Sequence, residues 1–127
     1  MLMSGIATGL QHIGIPTNDI EATVGFYTRL GFEVAHRTQD DGGNEVVFLR
    51  LGDLMIETYQ NNKAAGVSGA IDHIAVNVTD VEAARKIAEE MGLEIIEEGQ
   101  LAFWENGVKY FVVLGPNQEK LEFNQYL

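Results

Sequence analysis

The chain has 127 residues, 46% of them hydrophobic, which suits one domain with a substantial apolar core. It carries a formal net charge of -11 with only 8 Lys and Arg, scattered along the sequence, so a phosphate backbone is a poor partner and nucleic acid is excluded as an expectation. Cysteine is absent, so disulfides and thiolate metal sites are impossible and any metal must be held by nitrogen and oxygen. The start of the chain, from Met1 to Gly9, has neither a basic head nor a long apolar run, and no segment is long enough to span a bilayer. These features predict a soluble, cytoplasmic protein with no membrane association. The charge also mildly disfavours a polyanionic substrate, unless a local pocket near Arg37 or Arg50 overrides it.

The first strand pattern is His12-Ile13-Gly14-Ile15. After it, Asn18-Asp19-Ile20-Glu21 reads as a capping box, in which a short polar side chain binds orphan amides and the later Glu reaches back. Apolar residues then recur at helical spacing from Ile20 to Leu30, and Gly31 stops the helix because glycine accepts left-handed geometry cheaply. Strands are expected over Phe32 to Arg37, Asn44 to Leu51 and Leu54 to Gln60, with a hairpin turn at Asp41-Gly42-Gly43-Asn44. No helix signal or Walker-type lysine follows those glycines, so they are not a phosphate loop. The Asn-, Ala- and Gly-rich stretch from Asn61 to Gly69 reads as a linker.

Beyond the linker the pattern repeats. A shift of 61 positions lays His12-Ile13-Gly14-Ile15 on His73-Ile74-Ala75-Val76 and the first capping box on Thr79-Asp80-Val81-Glu82. A second helix runs from Val81 to Met91, with Val81, Ala84, Ala88 and Met91 as its apolar stripe and Gly92 as its stop. Strands follow over Leu93 to Glu97, Val108 to Leu114 and Lys120 to Tyr126, the last two joined around Gly115-Pro116-Asn117. Each half reads β-α-β-β-β, giving an α+β fold: one domain over 1–127, with module one at about 10–60, the linker at about 61–69 and module two at about 70–127.

Side chains alternate across a strand, so His12 opposes Ile13 and Ile15, His73 opposes Ile74 and Val76, Glu57 opposes Ile56, and Glu122 opposes Leu121 and Phe123. The isoleucines are expected to pack on the helices, leaving His12, Glu57, His73 and Glu122 on the other face. In one curved sheet these four would converge, where a buried charge is costly unless paired or metal-bound. A lone strand histidine is usually structural, and a strand glutamate usually solvated. Their recurrence at matched points in both halves makes all four candidate metal ligands. His36 lacks a counterpart, since Glu97 occupies the equivalent position, and is expected at the surface with a substrate contact as the alternative. Asp72 points to the face opposite His73, and Glu45 sits at an expected turn. Phe48, Phe103 and Trp104 are candidate pocket residues, although aromatic residues near strands are more often core.

Two imidazoles and two carboxylates suit Ni²⁺, Co²⁺, Zn²⁺, Mn²⁺ or Fe²⁺, and an octahedral ion would keep two open positions. Negative charge developing on a bound substrate oxygen would be stabilised there, which suits proton abstraction by a nearby carboxylate. Glu122 is assigned as the catalytic base, with Glu57 as a second base or a permanent ligand.

The segments Leu10-Gln11-His12-Ile13-Gly14-Ile15, Phe26-Tyr27-Thr28-Arg29-Leu30-Gly31-Phe32, Ile71-Asp72-His73-Ile74-Ala75 and Gly115-Pro116-Asn117-Gln118-Glu119-Lys120-Leu121-Glu122-Phe123 resemble the vicinal oxygen chelate superfamily, which includes glyoxalase I, methylmalonyl-CoA epimerase, extradiol dioxygenases and bleomycin-resistance proteins. The resemblance runs from about Leu10 to Tyr126. It implies an open, U-shaped mixed sheet around a metal, with ligands from the first and fourth strands of each module, positions that His12, Glu57, His73 and Glu122 match. A fourth ligand favours the glyoxalase and epimerase branches over the dioxygenases, and antibiotic-binding members generally lack the full set. The Gly-Pro-Asn turn looks more like bacterial glyoxalase I-like proteins, while Phe103-Trp104-Glu105-Asn106-Gly107 stands where an epimerase-like glycine and histidine segment would be expected. The resemblance therefore implies a lactoylglutathione lyase-type enzyme, with Ni or Zn favoured, isomerising a 2-oxoaldehyde-thiol hemithioacetal through a metal-bound enediolate. An epimerase acting on an acyl-CoA thioester is the alternative, and a non-catalytic small-molecule binding or resistance protein the second. A homodimer is expected, with the site formed within one chain or across the dimer.

Overall fold

The structure is a computed structural model that describes residues 2–67, 69–114, 116 and 120–127. After a 3-10 turn at Met3–Gly5, the described elements are β1 (Ala7–Pro16), α1 (Ile20–Arg29), β2 (Glu33–Gln39), β3 (Glu45–Leu51), β4 (Leu54–Tyr59), β5 (His73–Val78), α2 (Val81–Glu90), β6 (Ile95–Leu101), β7 (Val108–Leu114) and β8 (Lys120–Tyr126). This is the expected α+β pattern of two β-α-β-β-β modules. The expected Gly115-Pro116-Asn117 turn lies outside the described residues except for Pro116. None of the described helices is long and apolar enough to cross a membrane.

The chain divides into two compact units, His12–Asp72 and a second made of Met1–Gln11 with His73–Leu127. β1 is one continuous strand whose first half belongs with the later residues. In the first unit β1 pairs parallel with β4, and β4-β3-β2 continue antiparallel. In the second, β5 pairs parallel with β8, and β8-β7-β6 continue antiparallel. Strand pairing within each unit is therefore mixed.

Both helices are built from the same local devices. Asp19 and Asp80 are the N-caps, their Oδ1 atoms accepting from Ala22 N and Ala83 N at 3.1 Å. The expected reciprocal Glu of a capping box is otherwise employed: Glu21 pairs with Arg37, and Glu82 with Lys109. The first-turn amides are met from a distance instead. Ile20 N donates to Gln60 Oε1 and Val81 N to Gln125 Oε1, each at 2.9 Å, so the residue just after β4 and its counterpart in β8 tie strand to helix. At the other ends, Gly31 (φ 104) and Gly92 (φ 73) take positive φ, and Phe32 N→Tyr27 O and Leu93 N→Ala88 O close Schellman motifs.

One face of each sheet holds its helix. Ile20, Val24, Phe32, Val47, Leu49 and Ile56 form the first core, with Ile15 and Tyr27 against it. The second contains Val78, Val81, Ala84, Ile87, Ala88, Phe111, Val113 and Phe123, with Phe111 and Phe123 stacked at 5.1 Å. Burying each Val, Leu, Ile or Phe side chain among them contributes about 1.5–3 kcal/mol. Met91, expected in the α2 stripe, is 66% exposed because it is the C-cap, and Ile87 takes the buried place. Ile74 is 47% exposed, so of the β5 pair expected to pack on the helix only Val76 does. The N-terminal stretch, which carries no strong signal of its own, contributes Met3, Ile6 and Ala7 to the second core, and Ile6 O accepts from Thr79 N at 2.8 Å.

The Asp41-to-Asn44 turn is a hairpin connection organised by Asp40, whose Oδ1 accepts from Gly42 N and Asn44 N, both at 2.9 Å. In the first unit, Thr58 is fully buried and its hydroxyl has no hydrogen-bond partner. Replacing it with valine, which has the same shape without the unmet hydroxyl, is expected to raise stability by about 1 kcal/mol. A lower midpoint in chemical denaturation would show that the hydroxyl is satisfied in solution.

Candidate functional site

Strand alternation places the candidate residues as the sequence requires. Ile13 pairs with Ile56 and Gly14 with Glu57, so His12 and Glu57 share the face opposite the α1 core. Likewise His73 pairs with Lys120 and Ala75 with Glu122, so His73 and Glu122 share the face opposite Phe123. Fractional exposures are 2% for His12, 9% for Glu57 and 8% for both His73 and Glu122. All four are therefore inside, where neither a lone carboxylate nor an unpaired imidazolium is tolerated cheaply.

The structure joins them as two pairs. His12 Nε2 lies 3.5 Å from Glu57 Oε1 in the first unit, and His73 Nε2 lies 3.7 Å from Glu122 Oε1 in the second. Both separations exceed a good N–H···O hydrogen bond of about 2.7–3.2 Å. Two donors about 2.0–2.2 Å from a tetrahedral or octahedral centre stand roughly 3–3.6 Å apart, a range that includes the first separation and that the second slightly exceeds. A nitrogen and a carboxylate oxygen are also the donors that a borderline divalent ion accepts. Each pair thus fits a metal in chemistry, and the first also in spacing.

What surrounds each pair differs. In the first unit the ring of Phe48, 2% exposed, meets His12 edge-on at 5.8 Å and His36 in a tilted contact at 6.0 Å. Register runs His36, Phe48, Glu57 across β2, β3 and β4, so His36 is half-buried on the candidate face. The expectation of a surface His36 is corrected by that position. A β-bulge between Val34 and His36 sets it there, and a matching irregularity lies between Ile95 and Glu97 in the second unit. There the row runs Glu97, Val112, Glu122, and Glu97 accepts from the Tyr110 hydroxyl at 2.8 Å.

The second unit adds an amide network that the sequence reading missed. Asn124 Nδ2 donates to Glu122 Oε2 at 2.9 Å. Gln11 Nε2 donates to Asn124 Oδ1 at 2.8 Å and to Asn77 Oδ1 at 2.9 Å, and Asn77 Nδ2 donates to Thr8 Oγ1 at 2.8 Å. The available signal was the period of two: Asn124 follows Glu122 by two residues and Asn77 follows His73 by four, placing polar residues on the same face.

Other candidates lie elsewhere. Arg37 pairs with Glu21 and, at 3.5 Å, with Glu45, and these hold its guanidinium above its ordinary pKa, the Glu21 hydrogen bond acting most strongly. Glu45 opens β3 instead of sitting in a turn, and Arg50 is exposed in β3 opposite Met55 and Glu33. Asp72 N donates to Gly14 O at 2.7 Å. Phe103 is buried, whereas Trp104 is half-buried at φ 63 and meets Tyr126 edge-on at 5.9 Å.

A family profile described as the Glyoxalase/Bleomycin resistance protein/Dioxygenase superfamily matches residues 9–123. The chain belongs to this superfamily. Two curated relatives are similar to the chain in sequence. The protein YwbC of Bacillus subtilis (strain 168) is 33% identical, over 94% of this chain and 99% of its own, and an ethylmalonyl-CoA/methylmalonyl-CoA epimerase of Cereibacter sphaeroides is 32% identical over 72% and 76%. Among solved structures, methylmalonyl-CoA epimerase from Mycobacterium tuberculosis superposes with a TM-score of 0.78 at 20% identity, covering 100% of this chain and 93% of that one. The Mn(II)-bound glyoxalase from Novosphingobium aromaticivorans gives 0.66 at 18% identity, over 94% and 39%. At these identities the structural likenesses establish the superfamily fold.

Phe48 packs between the two histidines of its unit, so Phe48→Ala is expected to cost about 3–5 kcal/mol of stability. Equilibrium denaturation reads this, and a loss under about 1 kcal/mol would mean that the ring is not a core element.

Proposed function

We propose that this chain is a metal-dependent enzyme of the glyoxalase I type, with His12, Glu57, His73 and Glu122 holding one divalent ion. The observation that carries the reading is the buried His–Glu pair in each unit, with donors 3.5 and 3.7 Å apart. Ni²⁺, Co²⁺, Zn²⁺, Mn²⁺ and Fe²⁺ all accept this donor set, and the resemblance to glyoxalase I-like proteins favours Ni²⁺ and Zn²⁺. When bound, such an ion supplies electrophilic stabilisation of negative charge developing on a substrate oxygen.

The remaining work falls to the chain. The neutral imidazoles of His12 and His73 position without adding charge, while Glu57 and Glu122 can each accept a proton. Glu122 is the proposed base. It takes the proton from the carbon bearing hydroxyl and sulfur in a 2-oxoaldehyde-thiol hemithioacetal and returns it to the adjacent carbonyl carbon, while the hydroxyl proton passes to the former carbonyl oxygen, giving a 2-hydroxy thioester with no net loss of atoms. Burial of the carboxylate keeps bulk water from intercepting that proton.

A second reading has a specific support: the relative at 32% identity is an ethylmalonyl-CoA/methylmalonyl-CoA epimerase. The same groups would then remove the proton beside a thioester carbonyl and return one to the same carbon with inverted configuration. Either substrate is a small carbonyl or thioester compound, and the enzyme is proposed to act as a homodimer.

Metal-loaded protein assayed with methylglyoxal-glutathione hemithioacetal and with methylmalonyl-CoA separates the two. Thioester formation from the hemithioacetal supports the glyoxalase reading, and turnover of the acyl-CoA alone replaces it with the epimerase. Turnover of neither, with metal bound, contradicts both. Glu122→Gln should lower turnover by about 10²–10⁴-fold while melting like the parent protein. Near-parental turnover would remove Glu122 from the role of base.

A further inference from the structure

The two carboxylates are not held alike. In the second unit Asn77 and Asn124 are lateral partners on β5 and β8, whereas the corresponding partners on β1 and β4 are Pro16 and Tyr59. Neither of those can offer a side-chain amide. The amide network thus reaches Glu122 from positions that carry no side-chain amide in the first unit, although the strands that carry Glu57 and Glu122 are equivalent.

Hydrogen-bond chemistry fixes the network's orientation. The Asn124 side chain must present its oxygen to the Gln11 amide and its nitrogen to the Glu122 carboxylate, because the reverse would set donor against donor and acceptor against acceptor. Gln11 is committed in turn, since its Nε2 also donates to Asn77 Oδ1 and to Asn124 O, the latter at 3.3 Å. Gln11 and Asn124 are 7% and 4% exposed, so water competes weakly for these bonds. The outcome is a carboxylate with two distinct oxygens. Oε2 accepts from Asn124, and Oε1 is the oxygen facing His73 Nε2.

Building on the metal-dependent reading, we propose that Asn124, its amide oriented by Gln11, is a positioning residue that anchors Glu122 Oε2 and so assigns Oε1 as the oxygen offered to the ion. Without the anchor the carboxylate can rotate about its terminal bond and present either oxygen or both. Outer partners of metal ligands act in this way, fixing ligand orientation.

The test titrates the parent protein, Asn124→Leu, Gln11→Leu and the double variant with Co²⁺, by calorimetry and by visible absorption. Asn124→Leu is expected to weaken Co²⁺ binding by about 10–100-fold and to shift the ligand-field bands. Gln11→Leu should give a smaller loss in the same direction, and the double variant should bind no worse than Asn124→Leu, because both act along one path. Affinity within about twofold of the parent, with unchanged bands, would overturn the proposal. Should Asn124→Leu fail to fold, Gln11→Leu decides: a loss of more than about twofold with shifted bands supports the proposal, and affinity within about twofold with unchanged bands overturns it. Should the parent bind no Co²⁺, the metal-dependent reading falls and this one with it, an outcome distinct from intact binding that ignores both substitutions.

Discussion

The organising constraint is the burial of ionisable side chains on one face of each sheet. A carboxylate taken out of water costs several kcal/mol unless hydrogen bonds or an opposite charge replace its hydration. Glu57 and Glu122 are each within a tenth of full burial, and each faces an imidazole on a neighbouring parallel strand. Parallel pairing of the first and last strands of a module brings the two groups together. The helix packs on the other face of that pairing, against its apolar residues.

The two modules share their scaffold and differ in their chemistry. Asp caps, glutamine ties at Gln60 and Gln125, Schellman closures and an irregularity in the second strand all recur. These devices stabilise any β-α-β-β-β unit. On the candidate face the units diverge: His36 and Phe48 in one stand where Glu97 and Val112 stand in the other, and Pro16 and Tyr59 where Asn77 and Asn124 stand. On that face the two carboxylates therefore have different neighbours.

The fold and the four central residues were legible because they depend on short-range rules. Period-two alternation placed His12, Glu57, His73 and Glu122 away from the helices, and glycine after an apolar helix located both stops. Features that depend on distant partners were not legible. Gln60 and Gln125 look like ordinary strand-end residues until the helix amides they serve are in view. Gln11 resembles a neighbour of His12, yet its bonds go to Asn77 and Asn124, far along the chain. His36 was misplaced because the bulge that aims it at Phe48 leaves no mark in the local pattern. The N-terminal residues were undervalued because Met3 and Ile6 acquire their apolar surroundings from the later half of the chain.

The central claim is that both His–Glu pairs serve one ion. Metal titration of the parent protein beside His12→Ala and His73→Ala tests it most directly, with bound Zn²⁺ counted per chain. One ion per chain in the parent, and strong loss of binding in either single variant, is the predicted result, whether the ion sits within a chain or across a dimer. Two ions per chain, or a parental site that survives removal of one of these histidines, would contradict it.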